Sequence, residues 1–342
     1  MKILITGNLG YIGTVCSEIF SEKYDVTGLD NGLYEDSYLK EPFKLKKQIK
    51  KDVRDIEEKD LYDFDCVVHL SALSNDPLGE LNSLLTKEIN QDAAIRLANL
   101  SKKCGVKKFI YVSSQSMYGI SDTENELDEY NSKKNPITEY AKTKWIAEQE
   151  IFQLDDSNFT VVAFRPSTVF GVSSRLRCDI VYNNLLACAF TTKKIIIKSD
   201  GSPWRPVVHV KDVVSAIQAG IEAPTELVKK QSYNIGIPNG NFTVRDLANA
   251  VKKIMPECEI EYTYENKDNR TYKVSFKKIL SELKNYYKPK WNLDNGGLEL
   301  LEFFKEIKLT KEDFLGWKTN RLINLKKKID KKILSNSLRW QK

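Results

Sequence analysis

Apolar residues along this chain recur at two alternating spacings. A short apolar run at 2–6 (KILIT) is followed by Gly7-Asn8-Leu9-Gly10-Tyr11-Ile12-Gly13 and then by a helical pattern to about residue 22, so the chain opens as strand, glycine turn and helix. A second strand is expected at 25–29, ending at Asp30, with further apolar strands at 66–70, 108–112 and 159–164 and helical stretches at about 80–104 and 138–153 between them. Alternation of this kind calls for a parallel sheet covered by helices on both faces, and right-handed crossovers make it doubly wound. Beyond residue 165 the rhythm loosens into short strands at 195–198, 232–235 and 259–262 among helices, with a Gly/Pro-rich segment SDGSPWRP.

The pattern therefore predicts an α/β chain. It consists of a Rossmann-type doubly wound parallel sheet over 1–165, a smaller α/β substrate lobe over 166–320 that is partly interleaved with the sheet, and a basic C-terminal tail over 321–342. In the tail, Leu322, Leu325, Ile329, Ile333 and Leu338 recur at about helical spacing, which permits an amphipathic helix with a basic outer face. Such a helix docks on the body, on a second subunit, or on a membrane surface.

Composition sharpens this picture by exclusion. With 342 residues, 41% apolar and 29% charged, the chain is long and apolar enough for one large domain or two of moderate size, and disorder is excluded. The net charge of +6 is local, because residues 321–342 hold eight Lys/Arg against one Asp, so no nucleic-acid-binding body is expected. The six cysteines are scattered and read as free buried thiols, and the two histidines, His69 and His209, lie in apolar sequence. No metal site and no histidine-based triad is therefore expected. No apolar run is long enough to span a bilayer and the start lacks a signal-peptide pattern, so the expectation is a cytoplasmic protein without a transmembrane segment.

Three groups of residues carry candidate chemistry. Glycines at Gly7, Gly10 and Gly13 let the backbone turn tightly and bring its N–H groups, with the positive end of a helix, against a pyrophosphate. Asp30 ends the next strand, 17 residues after the last glycine, where its carboxylate accepts both ribose hydroxyls of NAD and repels the 2′-phosphate of NADP. Asp52-Val53 places a carboxylate near the adenine amino group or is a plain loop acid. Tyr140 and Lys144 stand four residues apart on one face of a helix, so the ammonium is expected to lower the phenol and fit it for base catalysis near neutral pH. Ser113-Ser114-Gln115-Ser116 follows the strand ending at 112 and emerges at the carboxyl edge of the sheet, where ligands of such sheets bind.

The glycine spacing is Gly-x-x-Gly-x-x-Gly, and with the other motifs it resembles the extended short-chain dehydrogenase/reductases. Within them the chain is most similar to the NAD-dependent epimerase/dehydratase family that includes UDP-glucose 4-epimerase and the dTDP-glucose 4,6-dehydratases. The resemblance runs from TGNLGYIG through LDN, DVRD, VVHLSAL, VSSQSMYG, EYAKTK and RPSTVFG to WRPVVHVKD and DNRTY. It implies NAD as cofactor, Tyr140 as general acid/base at a sugar hydroxyl, Ser114 orienting that oxygen, and Lys144 holding the nicotinamide ribose and tuning Tyr140. It also implies that Tyr11, Ile12, Asn31, Leu70, Ser71, Ala72, Asn90 and Pro166 belong to the cofactor cleft. For a nucleotide-diphosphate sugar it implies contacts from Ser114, Ser116, Thr168, Asn184, Arg205 and Arg270.

Departures from the family narrow the chemistry. Its 4,6-dehydratases carry an Asp-Glu pair after the catalytic hydroxyl residue, where this chain has Gln115 and Ser116, so dehydration is disfavoured. Arg175 and Arg177 read an additional anionic sugar group or form structural pairs. The expected activity is a nucleotide-sugar epimerase working through a 4-keto intermediate, with a 4-ketoreductase or 4-dehydrogenase of a deoxysugar or heptose pathway as alternative and a non-catalytic NAD-binding module behind both. The resemblance further implies a homodimer built on helices at about 80–104 and 138–153, with Ile146 and Ile151 among the outward-facing candidates.

Overall fold

A computed structural model describes residues 1–74, 76–79, 82–121, 124–264 and 271–341. In chain order the strands are β1 (Lys2–Thr6), β2 (Asp25–Asp30), β3 (Lys47–Lys50), β4 (Cys66–His69), β5 (Lys108–Val112), β6 (Thr160–Pro166), β7 (Thr168–Phe170), β8 (Lys194–Ile197), β9 (Trp204–His209), β10 (Gln231–Ile235), β11 (Asn241–Thr243) and β12 (Glu259–Tyr262). The longer helices are α1 (Tyr11–Ser21), α2 (Ala93–Lys103), α3 (Glu139–Phe152), α4 (Val181–Thr192), α5 (Val210–Glu222), α6 (Val244–Ile254), α7 (Leu293–Glu306) and α8 (Arg321–Asp330). Among the described residues no helix is long and apolar enough to cross a membrane.

Seven strands form one parallel sheet in the order β10-β6-β5-β4-β1-β2-β3. Successive residues of its central strands go to opposite faces: Ile3, Ile5, Ile110 and Val112 join one apolar cluster, while Leu4, Phe109 and Tyr111 join the other. α1 and α5 close the first face with Phe20, Val213 and Ile217, and α2 and α3 close the second with Leu97, Ala147 and Ile151. The expected doubly wound α/β class is thus observed. A third cluster, centred on α4, α6, α7 and the β8–β12 pair, is the core of the smaller lobe, whose sheet β11-β9-β7 begins directly after β6.

Several elements differ from the sequence reading. β3 (KQIK) is a polar, largely exposed edge strand with no apolar alternation to announce it, and β9 lies in the Trp/Pro segment. The helical stretch expected at 80–104 is interrupted, since Ser83–Lys87 runs into a π-helical turn, Glu88–Asp92, before α2 begins. Ile146 is exposed, but Ile151 is fully buried against the sheet and does not face outward.

The seat of α3 matters most for the site. Glu148, wholly buried, receives the guanidinium of Arg165 on β6, with Nε at 3.1 and 3.2 Å from its two carboxylate oxygens. Arg165 also donates to the Tyr118 hydroxyl at 3.3 Å. Removing one partner strands the other charge in the interior, so Glu148→Gln is expected to cost about 3–5 kcal/mol of stability in urea unfolding, and a paired Glu148→Leu/Arg165→Met replacement clearly less than the sum of the single losses. Additive single and double losses would mean that the pair is not coupled.

Candidate active site

The parallel sheet brings every strand's carboxyl end to one edge. Strand order reverses at β1, which has β2 on one side and β4 on the other. A cavity of about 750 Å³ opens there, between this edge and the smaller lobe. Of the sequence-predicted residues, the cavity is lined by Gly7, Gly10, Tyr11, Ile12, Gly13, Asp30, Asn31, Asp52, Val53, Leu70, Ser71, Ala72, Ser114, Ser116, Tyr140, Lys144, Pro166, Thr168, Asn184 and Arg205. Two predicted residues are not in that set. Asn90 stands behind the wall, its amide clamping Leu73 by accepting from the backbone N at 2.8 Å and donating to the carbonyl at 3.1 Å. Arg270 lies outside the described residues.

At one end the turn after β1 is built for close backbone approach. Gly7 has φ +75°, and a Cβ there would stand 2.7 Å from Ser71 N, while one on Gly13 would stand 2.1 Å from Gly7 O. α1 then starts at an N-cap, Gly10, without a side-chain cap. Its first turn leaves N–H donors suited to a pyrophosphate. Asp30 accepts from Gly32 N at 2.8 Å and Leu9 N at 3.3 Å, and burial nonetheless pushes its carboxyl up to about 6. These features fit a dinucleotide held by glycine backbone and a ribose-binding acid. Asp52 is tied to Arg54 at 2.8 Å and Asn31 at 3.0 Å; burial works to raise its carboxyl, but these partners hold it below the usual range.

Near the middle stand Ser114, Tyr140 and Lys144. Ser114 caps the short 3-10 turn Gln115–Tyr118, its Oγ accepting from Ser116 N at 3.1 Å. Thr138 caps α3 and donates to Asp76 at 2.6 Å, fixing the helix start that carries Tyr140. Lys144 is buried, with Nζ 4.2 Å from the centre of the Tyr111 ring; burial brings its ammonium down to about 7, against the opposing charge of Glu148 one turn along. The Tyr140 phenol is raised rather than lowered: burial is the largest cause and Asp76 adds to it, while the hydrogen bond with Ser114 and the charges of Arg177 and Arg321 oppose it. The expected lowering by Lys144 is not observed, because burial of the phenol itself outweighs the groups that oppose it.

Gln115 is turned away from the cavity. Its amide donates to Arg165 O at 2.9 Å and Ile235 O at 3.3 Å, pinning the turn to β6 and β10. Arg177 and Asp179 form a two-pronged pair at 2.9 and 2.8 Å in the cavity wall, and Arg175 is buried behind it. Cavity-lining Tyr34, Ser74, Asp76 and Arg321 were not read from the sequence. Arg321 was hidden because the tail's composition reads as a solvated basic face.

The chain belongs to the NAD dependent epimerase/dehydratase family, whose model matches residues 3–236. It is 26% identical over 299 residues to UDP-glucose 4-epimerase of Bacillus subtilis, covering 77% of this chain and 85% of that one. In fold it is similar to UDP-glucose 4-epimerase of Thermotoga maritima solved with UDP-glucose, at a TM-score of 0.77 and 23% identity over 90% of this chain and 100% of that one. It is equally similar to the NDP-hexosamine 5,6-dehydratase TunA of tunicamycin biosynthesis, at a TM-score of 0.77 and 23% identity over 89% of this chain and 98% of that one.

The raised Asp30 carboxyl has a consequence for stability. Folded near 6 and unfolded near 3.9, it binds its proton more tightly in the folded chain, so stability is lost as pH rises from about 4 through 6. Asp30→Asn is therefore expected to stabilise the ligand-free protein at pH 7.5 by about 1 kcal/mol, less than the full pKa shift because the carboxylate is partly solvated. The gain should vanish below about pH 4, while NAD affinity falls. Urea unfolding at the two pH values checks the first expectation and calorimetric NAD titration the second; a variant no more stable at pH 7.5 would contradict the burial argument.

Proposed function

We propose that this member of the family is a nucleotide-sugar 4-epimerase that works through a 4-keto intermediate with tightly held NAD. The observation that carries the reading is the Ser114–Tyr140–Lys144 set at the wall of one cavity that runs from the glycine turn to Arg205. Gly7, Gly10, Gly13 and Asp30 would hold the dinucleotide, which when bound supplies the hydride acceptor and donor for sugar C4. Thr168, Asn184 and Arg205 would hold the nucleotide sugar from the lobe side.

Tyr140, kept a phenol by burial, passes its proton to the neutral amine of Lys144 and as the phenolate takes the C4 hydroxyl proton, while Ser114, hydrogen-bonded to it, orients that oxygen. Lys144, brought down to about 7, becomes an ammonium by taking the phenol proton, stabilises the phenolate beside it, and returns that proton to Tyr140 after Tyr140 has protonated the oxygen of the reduced ketone. The ketone is then reduced from its opposite face, which gives the epimer. Asp30 favours NAD over NADP and so supports a redox-neutral cycle. Neither Gln115 nor Ser116 supplies a carboxylate for eliminating water, and Gln115 is spent on the sheet. The protein acts in the cytoplasm as a homodimer, with the exposed face of α3 around Ile146 at the subunit contact.

A panel of UDP-, dTDP-, GDP- and CDP-sugars incubated with the protein in D₂O tests the reading by mass spectrometry and proton NMR. The expected outcome is interconversion of C4 epimers at unchanged mass with no deuterium at sugar carbon, and loss of kcat by about 10²- to 10⁴-fold in Tyr140→Phe with binding retained. Loss of two hydrogens, or consumption of NADH with a keto-sugar, would select the 4-dehydrogenase or 4-ketoreductase instead. Loss of water with deuterium uptake would select a dehydratase, and activity untouched by Tyr140→Phe would overturn the assignment of that residue.

A further inference from the structure

The C-terminal segment, rather than ending as a solvated tail, is fastened across the loops that form the dinucleotide end of the cavity. Trp340 Nε1 donates to Asn31 O at 2.7 Å, and Lys328 Nζ donates to Asp36 at 2.8 Å and to the Leu33 carbonyl. Arg339 pairs with Asp55 at 3.0 Å and reaches Asp52 at 3.5 Å. Leu325, Leu334 and Leu338 are buried in the same apolar cluster as Leu29 and Leu33. This strap delivers Asn320, Arg321 and Leu322, at the start of α8, into the cavity wall.

Arg321 sits there under unusual terms. It is 95% buried by its relative exposure of 5%, its Nη1 donates to the Ser74 hydroxyl, and its Nε has no partner. Its guanidinium lies 5.3 Å from the centre of the Tyr34 ring, whose neighbourhood also holds that of Arg175 at 4.9 Å. Arg175 in turn leaves Nε and one Nη without partners. Ser74 links the group, since its carbonyl accepts from Arg177 at 3.4 Å. Three guanidinium groups thus converge with Asp179 as the carboxylate paired to one of them. Burial, and then the charges of Arg177 and Arg175, push Arg321 down to about 9. An anion bound in the cavity would relieve that repulsion and meet the guanidinium of Arg321, which lines the wall while Arg175 stands behind it.

The group stands beside the glycine turn: the strap that carries Arg321 is tied to the loop after Asp30 through Asn31, Leu33 and Asp36, and the segment that carries Arg175 is tied to the first turn of α1, where Ser173 donates to the Tyr11 carbonyl at 2.8 Å. We propose that Arg321 is a ligand for the diphosphate of the dinucleotide, carried into the site by the C-terminal strap and backed by Arg175 and Arg177. The backbone donors of the glycine turn would then meet a side-chain cation, and the last twenty or so residues would be part of the cofactor site. This rests on the dinucleotide reading above.

Calorimetric titration of the full chain with NAD, ADP-ribose, adenosine, UDP-glucose and UDP-glucuronic acid tests it, with folding checked by circular dichroism. Arg321→Ala is expected to weaken NAD and ADP-ribose by about ten- to a hundredfold and leave adenosine and both UDP-sugars within twofold, with Arg321→Lys restoring part of the loss. Equal losses for adenosine and ADP-ribose would make Arg321 merely structural and overturn the proposal, as would a loss confined to the UDP-sugars, or to UDP-glucuronic acid alone, which would assign the anion to the sugar nucleotide. Should the variants fail to fold, hydrogen exchange of the unaltered protein decides: amides of 320–330 should slow with ADP-ribose but not with adenosine, and no difference between the two would overturn the proposal. NAD binding by the unaltered chain is read in the same series, so its absence would refute the dinucleotide reading itself and is distinguishable from failure of Arg321 alone.

Discussion

The buried ion pair between Glu148 and Arg165 is the constraint on which the site depends. It joins the middle of α3 to β6, and through Tyr118 and the Arg165 carbonyl it also engages the turn after β5. Glu148 lies one helical turn beyond Lys144 and Lys144 one turn beyond Tyr140, so a single contact sets the depth and rotation of all three. Such a pair is a poor source of net stability compared with apolar packing, because both charges leave water. In the observed register both carboxylate oxygens of Glu148 meet the buried guanidinium of Arg165.

The same pair governs the electrostatics around the candidate base. Desolvation pushes Lys144 towards its neutral form, and the Glu148 charge is what opposes that push. The Tyr140 phenol and the Asp30 carboxyl are likewise driven towards their neutral forms by burial. Three groups of different chemistry are thus displaced in the direction that removes charge from the cavity wall.

What was legible in the sequence was local. The glycine turn, the acid ending β2 and the Tyr140–Lys144 spacing each depend on a few neighbouring residues, and alternating versus helical periodicity located most strands and helices of the sheet half. What was not legible depended on tertiary partners. β3 is polar because it is an edge, and its pairing with β2 comes from the neighbour rather than from its own pattern. Ile151 follows the same helical spacing as a surface residue but faces the sheet. Arg321 belongs to a run of basic residues whose composition says solvent, and only the fastening of the strap by Lys328, Arg339 and Trp340 turns it inward.

Gln115 shows how scaffold and chemistry are entangled at the position where the resemblance expects an acid in dehydratases. Its amide nitrogen serves the carbonyls of Arg165 and Ile235, and its oxygen accepts from Ser167 at 3.2 Å. An aspartate there would set an acceptor against two acceptors in a buried place, cost the full desolvation of an unpaired charge, and loosen the junction of β6 with β10. The turn would have to rotate before a carboxylate at 115 could face the cavity, whereas Ser116 already lines it. The bonds that seat Gln115 also hold the turn that Ser114 caps, so an acid at 115 would disturb the sheet edge as well as change the functional group.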